Sequence, residues 1–526
     1  MKTRKILSMV VLATAGALVQ ASESADSTLI QALGEVKART GAEFQLAPEL
    51  ARALVSDQSV KLASAGDLET VLAGYNYALV HGVDGRVRQI LVSGYAGRGS
   101  SPPSLGQESA GAPVFAYDPS PASLPAKFLR HNSGSVAAIK IDAARLSAMQ
   151  KGERLTMSLP SGDYAVVYDN LFHHENGDFT WVGYVDGAGR GYRVIITSGS
   201  EGSLGQIVTP DGTYSVDLED GRNWLVDISG SGMQAGSLEG DELDGSRVNR
   251  GHEAASDSSA TLETARFLEA KKAKKVKKVK KVRKGKQKSL PNAETTEAPT
   301  VIDVLVVYTR GMNAKKVQTR LNFLVASANQ AYLDSEISVQ LRLVATIASD
   351  YPDNGPNNNA LNDLTNGKGE FADTAELRRE YGADLIALIR PFDYASQKNC
   401  GSGWVNGARG SELYAALGYS VVSDGSDPSG WYCSDYTFAH ELGHNMGSVH
   451  DAANSSFEGK YPFSYGYGVE GKFGSIMSYV NPVVGLFSNP RLTCKGQACG
   501  DAEWADNSHS LELTAPTVAN FMPATR

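Results

Sequence analysis

Between residues 440 and 451 the chain reads His-Glu-Leu-Gly-His-Asn-Met-Gly-Ser-Val-His-Asp, and few backbone paths satisfy what that string asks for. His440 and His444 are four apart, so on a helix they stack on one face. The flanking residues support that helix: Ser434 or Asp435 can cap it, and Phe438, Leu442 and Met446 form an apolar stripe on the side away from the histidines. Two imidazoles one turn apart can share a metal ion, and Glu441 between them can reach a water beside it. Gly447 ends the helix, because glycine readily takes the left-handed conformation of a C-terminal cap. The chain then turns back so that His450 can supply a third nitrogen. Three neutral histidines leave a fourth position open, which marks a reactive zinc site rather than a structural one.

The extended string is the metzincin signature, and its companion Met-turn is present as Gly474-Ser-Ile-Met477-Ser-Tyr479. Asp451 after the third histidine, and the wording His-Glu-Leu-Gly-His-Asn-Met-Gly, resemble the adamalysin/reprolysin branch. Cys400-Gly-Ser-Gly-Trp404-Val-Asn-Gly resembles that branch's substrate-binding edge strand, Tyr419-Ser-Val-Val422 its last strand before the active-site helix, and Phe487-Ser-Asn-Pro490 the segment lining the pocket beyond the Met-turn. The resemblance covers residues 300–526 and, more loosely, residues 127–228. It implies an α/β (α+β) catalytic domain with a twisted mixed sheet and an active-site helix. The activity implied is that of a zinc-dependent endopeptidase. His440, His444 and His450 would hold one catalytic zinc ion, Glu441 would act as general base on a zinc-activated water, and Met477 would form an apolar floor. An extended substrate would pair with the edge near residues 402–406.

Two departures from that branch stand out. Tyr479 follows Met477 by two residues, as in astacins and serralysins, and is read as a catalytic residue that stabilises the transition state, against the plainer reading of a packed aromatic. No cysteine precedes Cys400, so a thiolate cannot keep the zinc latent. A prosegment carboxylate such as Asp178 could substitute as in astacins, although Asn176-Gly-Asp178 also suits a turn.

The rest of the chain divides by texture. Lys2, Arg4 and Lys5 before an apolar run to Val19, then Val19-Gln-Ala21, have the layout of a secretory signal peptide over residues 1–21. Residues 22–98 read as a small α/β module resembling the secretin and TonB short N-terminal modules, and residues 99–126 as a Gly/Ser/Pro linker. Residues 127–230 are strand-and-turn punctuated, a β-rich prodomain resembling a reprolysin propeptide. Residues 231–299 read as a second linker. It contains the run from Lys271 to Lys286, which suits a processing hinge, with a plain solvated connector or a polyanion-binding patch as competing readings. Residues 300–526 alternate strand and helix and form the catalytic unit.

The bulk numbers exclude some partners. A net charge of −8 argues against nucleic acid, and no segment after the leader is apolar for long enough to insert stably in a membrane. Four cysteines in an exported protein suggest two disulfides, Cys400–Cys433 and Cys494–Cys499, in preference to a tetrathiolate zinc site. The expected partners are protein or peptide substrates and an activating protease, or self-cleavage, with the protein secreted. Calcium binding and oligomeric state stay open at this level.

Overall fold

The computed structural model describes the strands within residues 27–95, then residues 114–118, 123–132, 134–189, 191–245 and 298–525. The signal-peptide reading and the Lys271–Lys286 run lie outside these residues. In the N-terminal module, strands Glu43–Leu46, Tyr75–His81 and Val87–Tyr95 form one sheet, with the last strand in the middle. The helices expected there lie outside the described residues.

The β-rich unit is a nine-stranded antiparallel sheet. Its strands are β1 (Phe115–Tyr117), β2 (Val136–Ile141), β3 (Arg154–Leu159), β4 (Gly162–His173), β5 (Phe179–Val185), β6 (Arg193–Gly199), β7 (Gly202–Thr209), β8 (Gly212–Glu219) and β9 (Arg222–Asp227). Their spatial order is β1-β2-β9-β8-β7-β6-β5-β4-β3, a meander of hairpins closed by Gly- and Asp-rich turns. Alternation along β3 buries Leu155, Met157 and Leu159 and leaves the residues between them outside. Inside, Trp181 stacks on Tyr168 with ring centres 5.6 Å apart, and Gly183 makes room for it, since a Cβ there would come within 2.8 Å of the indole. The unit begins at Phe115, inside the stretch read as linker. A three-residue edge strand between Pro113 and Pro119 is too short to show a period.

The second unit holds a mixed sheet with β12 (Thr300–Thr309), β13 (Val339–Ser349), β14 (Leu385–Pro391), β15 (Gly401–Val405) and β16 (Tyr419–Asp424). The apolar runs at 301–308 and 383–389 become β12 and β14, neighbouring strands in its interior, where both faces are covered and no polar alternation is needed. Strand β15 runs antiparallel to β16, while β16, β14, β12 and β13 are mutually parallel. Helices α1 (Val317–Asp334), α2 (Asn357–Thr365), α3 (Thr374–Tyr381), α4 (Thr437–Asn445) and α5 (Asn507–Val518) pack around it. Helix α1 begins at Val317, after a turn in which Asn313 accepts the N–H of Lys315. Both expected disulfides are present, Cys400–Cys433 tying β15 to the approach of α4 and Cys494–Cys499 closing a small loop.

Helix α1 joins the two units. Only Gln318, Arg320 and Leu333 escape burial along it, so it is covered on both sides rather than being a surface helix. The mixed sheet covers one side. On the other, Val182, Ile195 and Phe172 of the β-rich unit share a single core with Phe323, Leu324 and Tyr332. Polar contacts fix the register of this docking. Arg193 Nε donates to Asp334 at 2.7 Å, Lys316 reaches Asp217 at 3.2 Å, and Asn322 donates to Asp178 at 3.1 Å.

Candidate metal centre

Helix α4 is buried along its whole length, and it carries His440, Glu441 and His444 as its sequence requires. The cap is not the expected one. Ser434 accepts from the Tyr436 N–H in a turn before the helix, and Asp435 is drawn away to pair with Arg320. Gly447 leaves the helix at φ +92°, where a Cβ would also press to 2.7 Å from Lys460, and the returning chain delivers His450. On the underside a Cβ at Gly443 would lie 2.8 Å from Met477 Sδ, so the Met-turn packs directly beneath the helix as expected of a floor.

The three imidazoles converge. Their Nε2 atoms are 3.1, 3.1 and 3.2 Å apart. Nδ1 of His440 donates to the Ile476 carbonyl at 2.7 Å, and Nδ1 of His444 to the Ser448 carbonyl at 2.9 Å. A carbonyl only accepts, so both rings are held in the tautomer whose Nε2 carries a bare lone pair. Lone pairs facing one another at that distance repel unless a cation lies between them. The donor set therefore fits a metal ion, with ring orientation fixed by the backbone behind it.

Glu441 sits beside this cluster, fully buried, with neither carboxylate oxygen hydrogen-bonded. Burial, reinforced by the nearby Asp241 carboxylate, pushes its carboxyl well above the ordinary value. Its place exists because residues 401 and 403 of β15 are glycines, and a Cβ at 401 would collide with the carboxylate. Asp451 ties the turn after His450 to the Met-turn, accepting from the Ser478 hydroxyl at 3.0 Å and the Tyr479 N–H at 3.1 Å. The Tyr479 ring lies 4.4 Å from that of His450.

A fourth donor comes from an unexpected part of the chain. Asp241 is completely buried, with Oδ1 3.0 Å from His450 Nε2 and Oδ2 3.3 Å from His440 Nε2. The donor atoms of Asp241, His440, His444 and His450 all lie within 4.8 Å of one another. Burial works to raise the Asp241 carboxyl, but the facing His450 and His440 outweigh it and hold it far below the usual range. Residues 231–245, read from sequence as linker, thus run through the cleft. Strand β10 (Gln234–Ala235) pairs with β17 (Trp431–Tyr432), and β11 (Glu242–Asp244) adds to the sheet edge parallel to β15. Glu242 accepts from the His450 N–H at 3.0 Å, Asp244 pairs with Arg409, and the Tyr479 hydroxyl donates to the Leu238 carbonyl, with Asp241 Oδ1 at 3.3 Å. Asp178, the carboxylate considered from sequence for latency, is instead spent on Asn322 at the α1 docking face. His174 bonds Thr180 and His509 stacks on Phe463, so neither joins the cluster.

The second unit matches a known family over residues 298–505, described as the reprolysin-like metallopeptidases of family M12B. Those residues are a reprolysin-like metallopeptidase domain. Residues 118–230 match a BamI lipocalin-like domain, which gives the β-rich unit its relatives. The chain is 31% identical over 251 residues to the peptidyl-Asp metalloendopeptidase of Pseudomonas aeruginosa, covering 43% of this chain and 41% of that one. It is 30% identical over 238 residues to a protein of the same name from Stenotrophomonas maltophilia, covering 42% and 53% respectively. The chain thus spans about half, or less, of the length of these curated relatives. Among solved structures, metalloproteinase-II from Bacteroides fragilis superposes with a TM-score of 0.38 at 12% identity, over 70% of this chain and 95% of that one, a likeness too slight to argue from.

Within the reprolysin-like domain, sequence reasoning located every histidine of the cluster. It missed Asp241 and Glu242, which stand beyond the last regular strand of the β-rich unit. The available signal was compositional: Glu239, Asp241, Glu242 and Asp244 form an acidic patch far upstream of the lysine run.

Proposed function

We propose that this chain is a zinc-dependent endopeptidase, exported as a proenzyme and kept latent by its own residues 231–245. The observation that carries the reading is the set of three imidazoles whose Nε2 atoms converge within 3.2 Å, beside a buried and unbonded Glu441. His440, His444 and His450 would hold the ion, and a zinc ion bound there supplies Lewis-acid polarisation of a carbonyl and acidifies water. Glu441 takes a proton from the attacking water and returns it to the departing amine. A carboxyl whose proton affinity is raised by burial suits both steps. Burial and the surrounding carboxylates keep the Tyr479 hydroxyl protonated. Both of its present acceptors belong to the prosegment, so in the opened cleft that hydroxyl is free to donate to a developing oxyanion.

Strand β15 binds the main chain of an extended substrate, the role β11 now occupies. Because Asp241, the residue just before β11, presents a side-chain carboxylate to the donor set, the segment fills the site without offering a scissile carbonyl there. Relatives carrying the name peptidyl-Asp metalloendopeptidase support protein substrates cut beside aspartyl residues. The basic leader followed by an apolar run supports secretion. The test compares activated wild-type protein with Glu441→Ala on casein, with and without chelator. Wild type should lose its activity to the chelator, and the variant should fall by roughly 10²–10⁴-fold while retaining bound metal. Equal hydrolysis by the two proteins would discard the mechanism.

A further inference from the structure

Glu242 follows Asp241 in the chain but is received by a different part of the reprolysin-like domain, the loop after the third histidine. Its side chain is only 4% exposed. Among the described residues its hydrogen-bond donors are uncharged. Oε1 accepts from the His450 N–H at 3.0 Å and Oε2 from the Ser456 N–H at 3.0 Å. The Ser455 hydroxyl lies 2.9 and 3.1 Å from the two oxygens and 2.7 Å from the Phe457 carbonyl, and the His450 ring nitrogen Nδ1 stands 3.7 Å away. Converging backbone N–H groups with a hydroxyl form a concavity that suits an anion.

The domain builds this cradle without help from Glu242. The Asp451 carbonyl accepts the N–H of Asn454 at 2.9 Å and of Ser455 at 3.0 Å, and the Asp451 carboxylate holds the Ala453 N–H and the Asn454 amide. Phe457 anchors the far end in the core. Asp451 is itself fastened to the Met-turn, so the donors keep their positions once the prosegment has gone. Two residues beyond Glu242, Asp244 meets Arg409. The segment lying in the cleft is therefore acidic at three of four positions from 241 to 244, and each acid is met by a group of the domain.

We propose that the cradle formed by the N–H groups of His450 and Ser456 and the hydroxyl of Ser455 is a specificity subsite. In the activated protease it would read a carboxylate side chain on the substrate, close to the scissile bond. Glu242 occupies it in the latent form as a stand-in for that side chain. The inference rests on the peptidase reading and adds to it the residues that select an acidic substrate. No charged partner is needed, because a carboxylate accepts an N–H on each oxygen and shares the Ser455 hydroxyl proton with the Phe457 carbonyl, whereas an amide of the same shape accepts through one oxygen and brings donors of its own into conflict.

The experiment uses full-length protein activated by proteolytic removal of its prosegment. Matched fluorogenic peptides carry Asp or Asn at one position, scanned from three residues before the bond to three after it. At one position the Asp peptide should exceed its Asn partner in kcat/KM by about tenfold in wild type. Ser455→Ala should cut that ratio to about threefold through KM, and Ser455→Asp, which puts a carboxylate into the cradle, should abolish or invert it. Thermal unfolding of both variants checks that the loop is intact. A ratio near one at every position overturns the proposal, as does a wild-type ratio that survives both Ser455 variants. A preference lost in Arg409→Ala but kept in Ser455→Ala also overturns it, in favour of the arginine. If no peptide is cut, the peptidase reading has failed. The cradle is then judged by peptide binding to Glu441→Gln protein, where equal Kd for Asp and Asn peptides overturns it.

Discussion

Glycine at 401 shows how much of the candidate site is set by single atoms. The Glu441 carboxylate occupies the volume that a Cβ on this edge strand would take, and residue 403 is tight in the same way, since a Cβ there would lie 3.0 Å from Glu441 Oε2. Gly401→Ala leaves the three clustered histidines untouched and displaces only the carboxylate. It should lower kcat by roughly 10²-fold, the usual consequence of misplacing a reacting group by about an ångström, with KM and metal content little changed. Steady-state kinetics with metal analysis would check this, and a fully active alanine variant would refute the placement of Glu441. At the same scale, Asn445 shows why the family wording extends past the second histidine. Its side-chain amide lies within 3.1 Å of the Trp404 carbonyl and 2.9 Å of the Tyr419 carbonyl, fastening α4 to β15 and β16.

The docking of the lipocalin-like unit belongs to helix α1. A helix buried on both sides needs a second surface to cover it, and Val182, Ile195 and Phe172 supply one. The contact is made specific by Arg193, which bridges its own Asp169 at 2.7 Å and Asp334 at the end of α1. Arg193→Ala removes the guanidinium from a buried carboxylate and should cost about 3–5 kcal/mol in the unfolding of the full chain, read from the urea midpoint. Arg193→Lys should recover only part, because an ammonium cannot serve both carboxylates with the same planar fork. An alanine variant as stable as wild type would mean that the apolar contact alone carries the docking.

Over the whole molecule, the proposed latency would combine that docking with the passage of residues 231–245 through the cleft. Asp241→Ala removes the carboxylate from the donor set but leaves β11 and the Glu242 contacts. The uncut variant should hydrolyse a short fluorogenic peptide at a measurable rate while uncut wild type does not. Silence from the variant would show that the strand, rather than the carboxylate, blocks the site. Acid should not release the lipocalin-like unit easily. Burial works to raise the Asp217 carboxyl, but Lys127 and Lys316 outweigh it and hold it well below the carboxylate range. A depressed folded value means that the stabilisation is present above the unfolded value of about 3.9 and is lost only as pH falls toward the lower folded one. Small-angle scattering should therefore show the two units still docked at pH 4 and separating, if at all, well below it.

The sequence by itself determined the three-histidine part of the candidate metal centre, because a helix converts a spacing of four into a shared face and a glycine cap fixes where His450 returns. It also determined the buried strands β12 and β14, whose apolar runs need no partner to be recognised, while four cysteines allow three connectivities and the folded chain shows the favoured one. Strands β2, β3 and β9 of the lipocalin-like unit were less legible, being short and half polar. Only the tertiary structure decided what fills the cleft. Strand β11 pairs with β15 across some 160 residues of chain, and a three-residue strand has too little periodicity to announce a partner that distant. For the same reason Asp178 was considered from sequence and Asp241 was not. Each is an aspartate in a turn-rich stretch, and what separates them is which surface the folded chain brings them to.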